Sequence, residues 1–234
     1  MGDIALFNVN GILFLLRWMH IFFGVVWIGL LYYFNFVQGS FFAETDAATK
    51  SNAIQKLVPR ALWWFRWGAM WTIITGLSYL GIRAHMSGME LFQSSWGICI
   101  ITGMVLGICM WFNVWFVIWP NQKIVIENAT LTAQGKAAIP GAAEAGAKAG
   151  LASRHNVLFS IPLLFFMAGA RHLPLAVSDT YNFKLLTILV GIIIIALEAN
   201  ALKGKTGPIT SVKGVIHFGF ALTLVLYVLM ELMK

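Results

Sequence analysis

The amino-acid sequence predicts an all-α protein, a polytopic membrane helix bundle with about six transmembrane helices. Three observations carry that expectation. Hydrophobic residues fill 59% of the 234 positions, and the mean hydropathy is +0.81. Only 11% of residues are charged, where a soluble domain carries roughly 25%. The apolar residues are also gathered into runs of about 20, each long enough to cross ~30 Å of hydrocarbon. A soluble core cannot bury that much apolar surface, so lipid is the expected solvent. One transmembrane domain, residues 1–234, is expected to account for the chain.

The runs cover residues 11–37, 61–82, 96–119, 156–173, 183–202 and 212–233. Each must be helical, because lipid offers no partner to an unpaired backbone group. Two longer connections, 38–60 and 121–153, are polar or rich in small residues. The second is broken at Pro140-Gly141, and it reads as a solvated connector with a short surface helix or mobile strip over 141–151. In the third run, Gly103 and Gly107 are spaced for close approach of a neighbouring helix.

The net charge of +7 is spread thinly over the loops, which is an orientation signal rather than a nucleic-acid surface. Lys50, Lys56, Arg60, Lys123, Lys136, Lys148, Arg154, Lys203, Lys205 and Lys213 fall on one side. Only Arg83, Arg171, Lys184 and Lys234 fall on the other. The richer side is expected to be cytoplasmic. Both termini are then expected on the outer, periplasmic side of a bacterial inner membrane. The N-terminus has no basic region and no small-residue cleavage site ahead of the first run, so no cleavable signal is expected.

Ionisable groups inside a membrane are costly and are functional candidates by default. His20 shares a stripe of the first helix with Arg17, Gly24, Leu31 and Asn35. A histidine beside a glycine leaves room for a flat, bulky group such as a porphyrin. The alternative is a hydrogen bond to a neighbouring helix. His155 opens the fourth helix and His172 closes it, with Pro162 between them. His217 lies near the start of the sixth helix, at a depth matching His155. Two such imidazoles can ligate one heme iron from both faces. His20 and His172 form a second candidate pair toward the outer side. His85 reads as a loop residue. Glu198, Asn200 and Glu231 are candidates for proton relay or for interfacial pairing. The segment 61–67, Ala-Leu-Trp-Trp-Phe-Arg-Trp, can hold a planar anion by stacking and by the charge of Arg66, or can anchor the helix at the interface. Cys99 and Cys109 lie in an apolar run without a CxxC pattern and read as packing residues. No HExxH, nucleophile elbow or phosphate loop occurs.

The stretch 16–29, Leu-Arg-Trp-Met-His-Ile-Phe-Phe-Gly-Val-Val-Trp-Ile-Gly, resembles the opening helix of the membrane-bound urate hydroxylases, the urate oxidase N-terminal family. Ser153-Arg154-His155-Asn156, followed by Pro162, Phe166-Met167 and Arg171-His172-Leu173-Pro174, is similar to that family's histidine-bearing helix. Trp119-Pro120-Asn121-Gln122 resembles its loop after the third helix. The first helix is also similar to those of membrane protoporphyrinogen oxidases and copper-resistance membrane proteins. The resemblance implies oxidation of urate to 5-hydroxyisourate with water as the oxygen source. Electrons would leave singly through heme b, one or two per chain, toward a cytochrome c. It marks His20, His155 and His172 as motif histidines; His217 is added from its depth alone. Arg17 and Arg66 are the candidate catalytic residues, as partners of urate or a similar planar anion. Family members carry a C-terminal cytochrome c domain, whereas no CxxCH occurs here, so the electron acceptor is expected to be a separate protein. A non-catalytic subunit of a larger respiratory complex, with or without heme, is the main alternative. A transporter is the third.

Overall fold

The computed structural model describes residues 4–233; Lys234, one of the few basic residues on the expected outer side, lies outside them. Among the described residues there is no strand, and α-helix dominates. Helix α1 (Val9–Tyr32) passes through a π-helical turn, Tyr33–Gln38, into α2 (Gly39–Glu44). Next come α3 (Ala47–Lys56) and α4 (Val58–Ser87). Helix α5 (Ser95–Phe112) passes through a second π-helical turn, Asn113–Ile118, into α6 (Trp119–Ala133). The remaining helices are α7 (Ala142–His172), α8 (Phe183–Lys203) and α9 (Val212–Glu231). Short polar side chains begin several of them. Asn8, Ser94, Asn182 and Ser211 accept the free backbone N–H groups of the first turns of α1, α5, α8 and α9.

Among the described residues, five helical stretches are long and apolar enough to cross a membrane: Val9–Glu44, Ser95–Ala133, Ala142–His172, Phe183–Lys203 and Val212–Glu231. Helix α4 is equally long but carries Arg60, Arg66 and Arg83. It lies antiparallel to α1. Arg17 meets Tyr79, His20 meets Thr72, Phe23 stacks on Trp71 and Phe34 meets Phe65 edge-on.

The polar connection 38–60, whose sequence is partly helix-compatible, is largely helical, and the connection 121–153 is more helical than expected. Residues 38–60 hold α2 and α3. Asp46 caps α3 by accepting from Thr49 Oγ1 (2.6 Å), Thr49 N (3.0 Å) and Ala48 N (2.9 Å), which together hold its carboxyl below the usual range. The expected solvated connector at 121–153 is mostly the end of α6 and the start of α7, with a break only around Pro140-Gly141. Alanine is the strongest helix former. Here its small side chains also let α7 approach its neighbours, so that Ala145, Ala149 and Ala152 are buried. The helix then runs unbroken through Pro162.

The core lies around α7, where residues 155–160 are all buried. Gly103 and Gly107 of α5 face Met167 and Leu163 of α7, as their spacing suggests. On α4, Trp63, Trp64, Trp67 and Trp71 are exposed, consistent with an aromatic belt against lipid. Helices α1 and α4 approach closely at Gly68, where a Cβ would stand 3.2 Å from the Trp27 backbone nitrogen. Gly68→Leu is therefore expected to cost about 1–3 kcal/mol, seen as a lower thermal midpoint in detergent. Gly81→Leu, at a position with nothing within 4 Å, is the control expected to leave the midpoint unchanged.

Candidate functional site

The polar stripe of α1 faces a cavity of about 460 Å³ enclosed by α1, α4, α5 and α7. That volume lies within the range of about 300–1,000 Å³ found for small-molecule sites. His20 stands on its wall toward one end and Tyr32 toward the other, roughly 18 Å apart along the helix at 1.5 Å per residue. The rest of the wall is almost wholly apolar, with Thr72 as the third polar residue. Exposed Ile21, Val25, Leu77 and Leu164 belong to the lining, so the cavity opens on the flank of the bundle.

His20 is fixed through one nitrogen. Its Nδ1 lies 2.8 Å from the Thr72 carbonyl oxygen, which can only accept, so Nδ1 carries the proton. In the neutral ring this leaves Nε2 as an unprotonated lone pair. Nε2 makes no hydrogen bond with the described residues. An imidazole held by a backbone carbonyl with the other nitrogen free is the arrangement of a metal or heme ligand. The glycines extend the same logic. A Cβ on Gly24 or Gly29, both on the wall, would meet nothing within 4 Å. Gly76, opposite, is required by His20 itself, because a Cβ there would lie 2.9 Å from the imidazole Cε1.

The other sequence candidates fall elsewhere. Arg17 is one turn beyond His20, exposed, with its guanidinium donating to Tyr79 OH (2.6 Å) and lying over that ring. Arg66 stacks on Trp119, 3.4 Å from the ring centroid, and donates to the Leu62 carbonyl. Arg66 and Tyr79 are about 20 Å apart along α4, so the two arginines do not serve one anion. His155 is buried and both its nitrogens are engaged. Nδ1 donates to the Leu151 carbonyl (3.0 Å) and Nε2 accepts from Asn200 (2.8 Å). His217 is exposed on α9, and His172 is exposed at the end of α7. Neither expected histidine pair therefore converges on a shared cavity. Matching depth fixes a level along the helix axes but not the direction in which a side chain points. Among the described residues no three His, Cys, Asp or Glu side chains cluster to hold a metal ion.

Reasoning from histidines missed a second polar feature. Buried Asn156 of α7 donates to the Met110 carbonyl (2.9 Å), where α5 passes toward its π-helical turn. Its amide oxygen accepts from Asn113 Nδ2 (3.0 Å), which also donates to Glu198 Oε2 (3.1 Å). One turn along α7, Ser160 meets Tyr32 (2.9 Å). The signal was present as isolated asparagines within apolar runs, residues that lipid-exposed helices avoid. Asn156→Leu would strand both partners and is expected to cost about 1–3 kcal/mol, measurable as a lower thermal midpoint. Exposed Thr187→Leu is the control, expected to be neutral.

Comparison with known proteins adds the lineage. No curated protein and no solved structure matches the chain. The family model described as urate oxidase N-terminal matches residues 82–229, from the end of α4 almost to the end of α9. It includes the 153–174 motif helix and leaves the His20 helix outside the matched region. Because the match spans more than half of the sequence, the chain belongs to the urate oxidase N-terminal family.

Proposed function

We propose that this protein is a heme-b membrane oxidoreductase of the urate-hydroxylase type. In this reading the α1/α4/α5/α7 cavity holds the heme with His20 as its protein ligand. The substrate is urate or a similar planar anion, and electrons pass to a separate cytochrome c or a larger membrane complex. The observation that carries the reading is His20 itself, with Nδ1 tied to a backbone carbonyl and Nε2 free on an apolar wall where Gly24 and Gly29 leave open space.

The cavity suits a flat hydrophobic group better than urate. Urate is rich in hydrogen-bonding groups, and an apolar wall would leave them unpaired at a cost of a few kcal/mol each. Heme, when bound, supplies the one-electron steps that the oxidation requires. The residues of the chain do the rest. The Thr72 carbonyl sets the tautomer and plane of His20. The lateral apolar wall excludes water. Arg17, exposed one turn beyond His20 and braced by Tyr79, offers positive charge to an anion arriving from the outer side. Arg66 is already committed to Trp119 and so anchors α4 to α6. With α4 taken as a sixth span, both termini lie on the outer side and the more basic loops face the cytoplasm of a bacterial inner membrane.

The test is the visible spectrum of the detergent-purified protein, before and after reduction with dithionite, with hemin titrated in if the protein is isolated colourless. A b-type spectrum at one heme per chain is expected. His20→Ala and Gly24→Phe are expected to abolish it while leaving the thermal midpoint of the ligand-free protein within a few degrees. His155→Ala, His172→Ala and His217→Ala are expected to retain ligated heme. A folded protein that stays colourless with hemin sinks the proposal and leaves the non-catalytic subunit as the better reading. If heme binds, Arg17→Gln is expected to raise the KM for urate about tenfold or more, whereas Arg66→Gln leaves it near the original value.

A further inference from the structure

Three polar groups packed against α7 are spaced from the more basic end of the bundle to the cavity. At the start of the line, Asn200 Nδ2 bridges His155 Nε2 (2.8 Å) and the Lys205 carbonyl (3.0 Å) in the loop after α8. The next residue of α7, Asn156, joins Asn113, and Asn113 joins Glu198. One turn further, Ser160 Oγ donates its only proton to the Val157 carbonyl (2.7 Å). It must then accept from the Tyr32 hydroxyl, and Tyr32 is on the cavity wall. From residue 155 to residue 160 the rise is roughly 7.5 Å, so five residue steps along one helix span the distance.

Two atoms in the middle of this line lack partners. Asn113 Oδ1 and Glu198 Oε1 are both buried and neither has a hydrogen-bond partner among the described residues. Both are acceptors, and Asn113 is 0% exposed. A bare carboxylate on this half-buried side chain would hold its buried oxygen without a counter-charge. No ion pair joins Glu198 to a Lys or Arg among the described residues. The helices packed against α8 are α5, α7 and α9. From α5, the Cys109 thiol lies within electrostatic reach of Glu198. From α7, His155 is neutralised as an acceptor by Asn200, and Arg154 carries a guanidinium nitrogen, Nη1, that is buried and unpartnered. Lys213 and His217 of α9 are exposed. Burying an isolated carboxylate costs far more than burying the acid. Protonation also turns one of the two stranded acceptors into a donor.

We propose that Glu198, held by Asn113 beside Asn156, is a half-buried proton-binding site linking the loop after α8 to the cavity through Ser160 and Tyr32. In the loaded state the proton resides on Glu198 Oε1 as the neutral acid; the unloaded state is the carboxylate. It is taken up from the Lys205 end of the line and is released toward Tyr32 or back to the loop, with water bridging the turn between Asn156 and Ser160. The coupling to the cavity rests on the oxidoreductase reading: an electron passed from the substrate to a bound heme would add negative charge in the cavity, and a proton taken up on Glu198 would offset part of it. No bond other than O–H is made or broken in the path, and each proton bound on reduction is returned on reoxidation.

Proton binding is tested without any cofactor, by infrared difference spectroscopy of the full chain in lipid while the pH is stepped around neutrality. A protonated-carboxyl C=O band that persists at neutral pH, shifts in D2O and is lost in Glu198→Gln is expected. In Asn113→Ala the band should move, because the amide that bonds Oε2 is gone; this variant also serves if Glu198→Gln fails to fold. Absence of any such band, or a band unaffected by both substitutions, overturns the proposal. Coupling is tested in heme-loaded protein by the pH dependence of the midpoint potential. That dependence should flatten in Glu198→Gln, with Glu198→Asp restoring it, and weaken in Tyr32→Phe. A dependence unchanged in all three overturns the link to the cavity. A colourless protein that still shows the band would defeat the heme reading while leaving the proton-binding site standing.

Discussion

The constraint on which this fold depends is that a helix in lipid has no water to complete its polar groups. Each one must find a partner inside the bundle, and those partners are scarce. The Thr72 carbonyl takes the His20 ring proton. The Met110 carbonyl, beside a π-helical turn, takes the Asn156 amide in addition to the Asn113 backbone N–H. These bonds fix the angular setting of α1 against α4 and of α5 against α7. A shift of either helix by one residue would swing its polar side chain some 100° away and strand both ends of the bond. Packing by small residues follows from the same setting. Gly68 allows α1 to touch α4 there, and Gly103 and Gly107 admit α7.

The two π-helical turns lie where they have most effect. Each interrupts a long helix near its more basic end, and each carries a buried asparagine, Asn35 in one and Asn113 in the other. Asn35 donates to the Leu31 carbonyl and to Ser153 of α7; Asn113 donates to Asn156 of α7 and to Glu198 of α8. A π turn widens the helix and frees a backbone acceptor, features often found at functional positions. Here the two turns direct amides at Ser153 and Asn156, three residues apart on α7, so that this helix is held by hydrogen bonds as well as by apolar contact.

Much of the architecture could be read from composition. Apolar runs at the spacing of a bilayer locate the long helices, because the length needed is set by the solvent and not by the partners. The connector over 121–153 was misjudged for the opposite reason. Its alanines carry no amphipathic signal strong enough to mark a buried face, and only packing within the bundle buries Ala145 and Ala149. At the site, His20 could be picked out because its glycine neighbours sit on the same stripe. The pairing of histidines could not, because depth was counted along each axis with no knowledge of rotation about it. The line of Asn113, Asn156, Ser160 and Tyr32 was illegible because its members come from separate helices, and each alone is an ordinary polar residue.

The flank opening of the cavity, rimmed by Ile21, Val25, Leu77 and Leu164, sets the terms on which anything enters. A compartment that opens toward acyl chains exchanges with what is dissolved in the bilayer, not with the aqueous phase. Its occupancy is then governed by partitioning, so that the quantity that matters is ligand per lipid rather than ligand per litre. A sparingly soluble planar molecule, almost absent from water, would be plentiful at that doorway, while a small polar anion abundant on either side of the membrane would be kept from it.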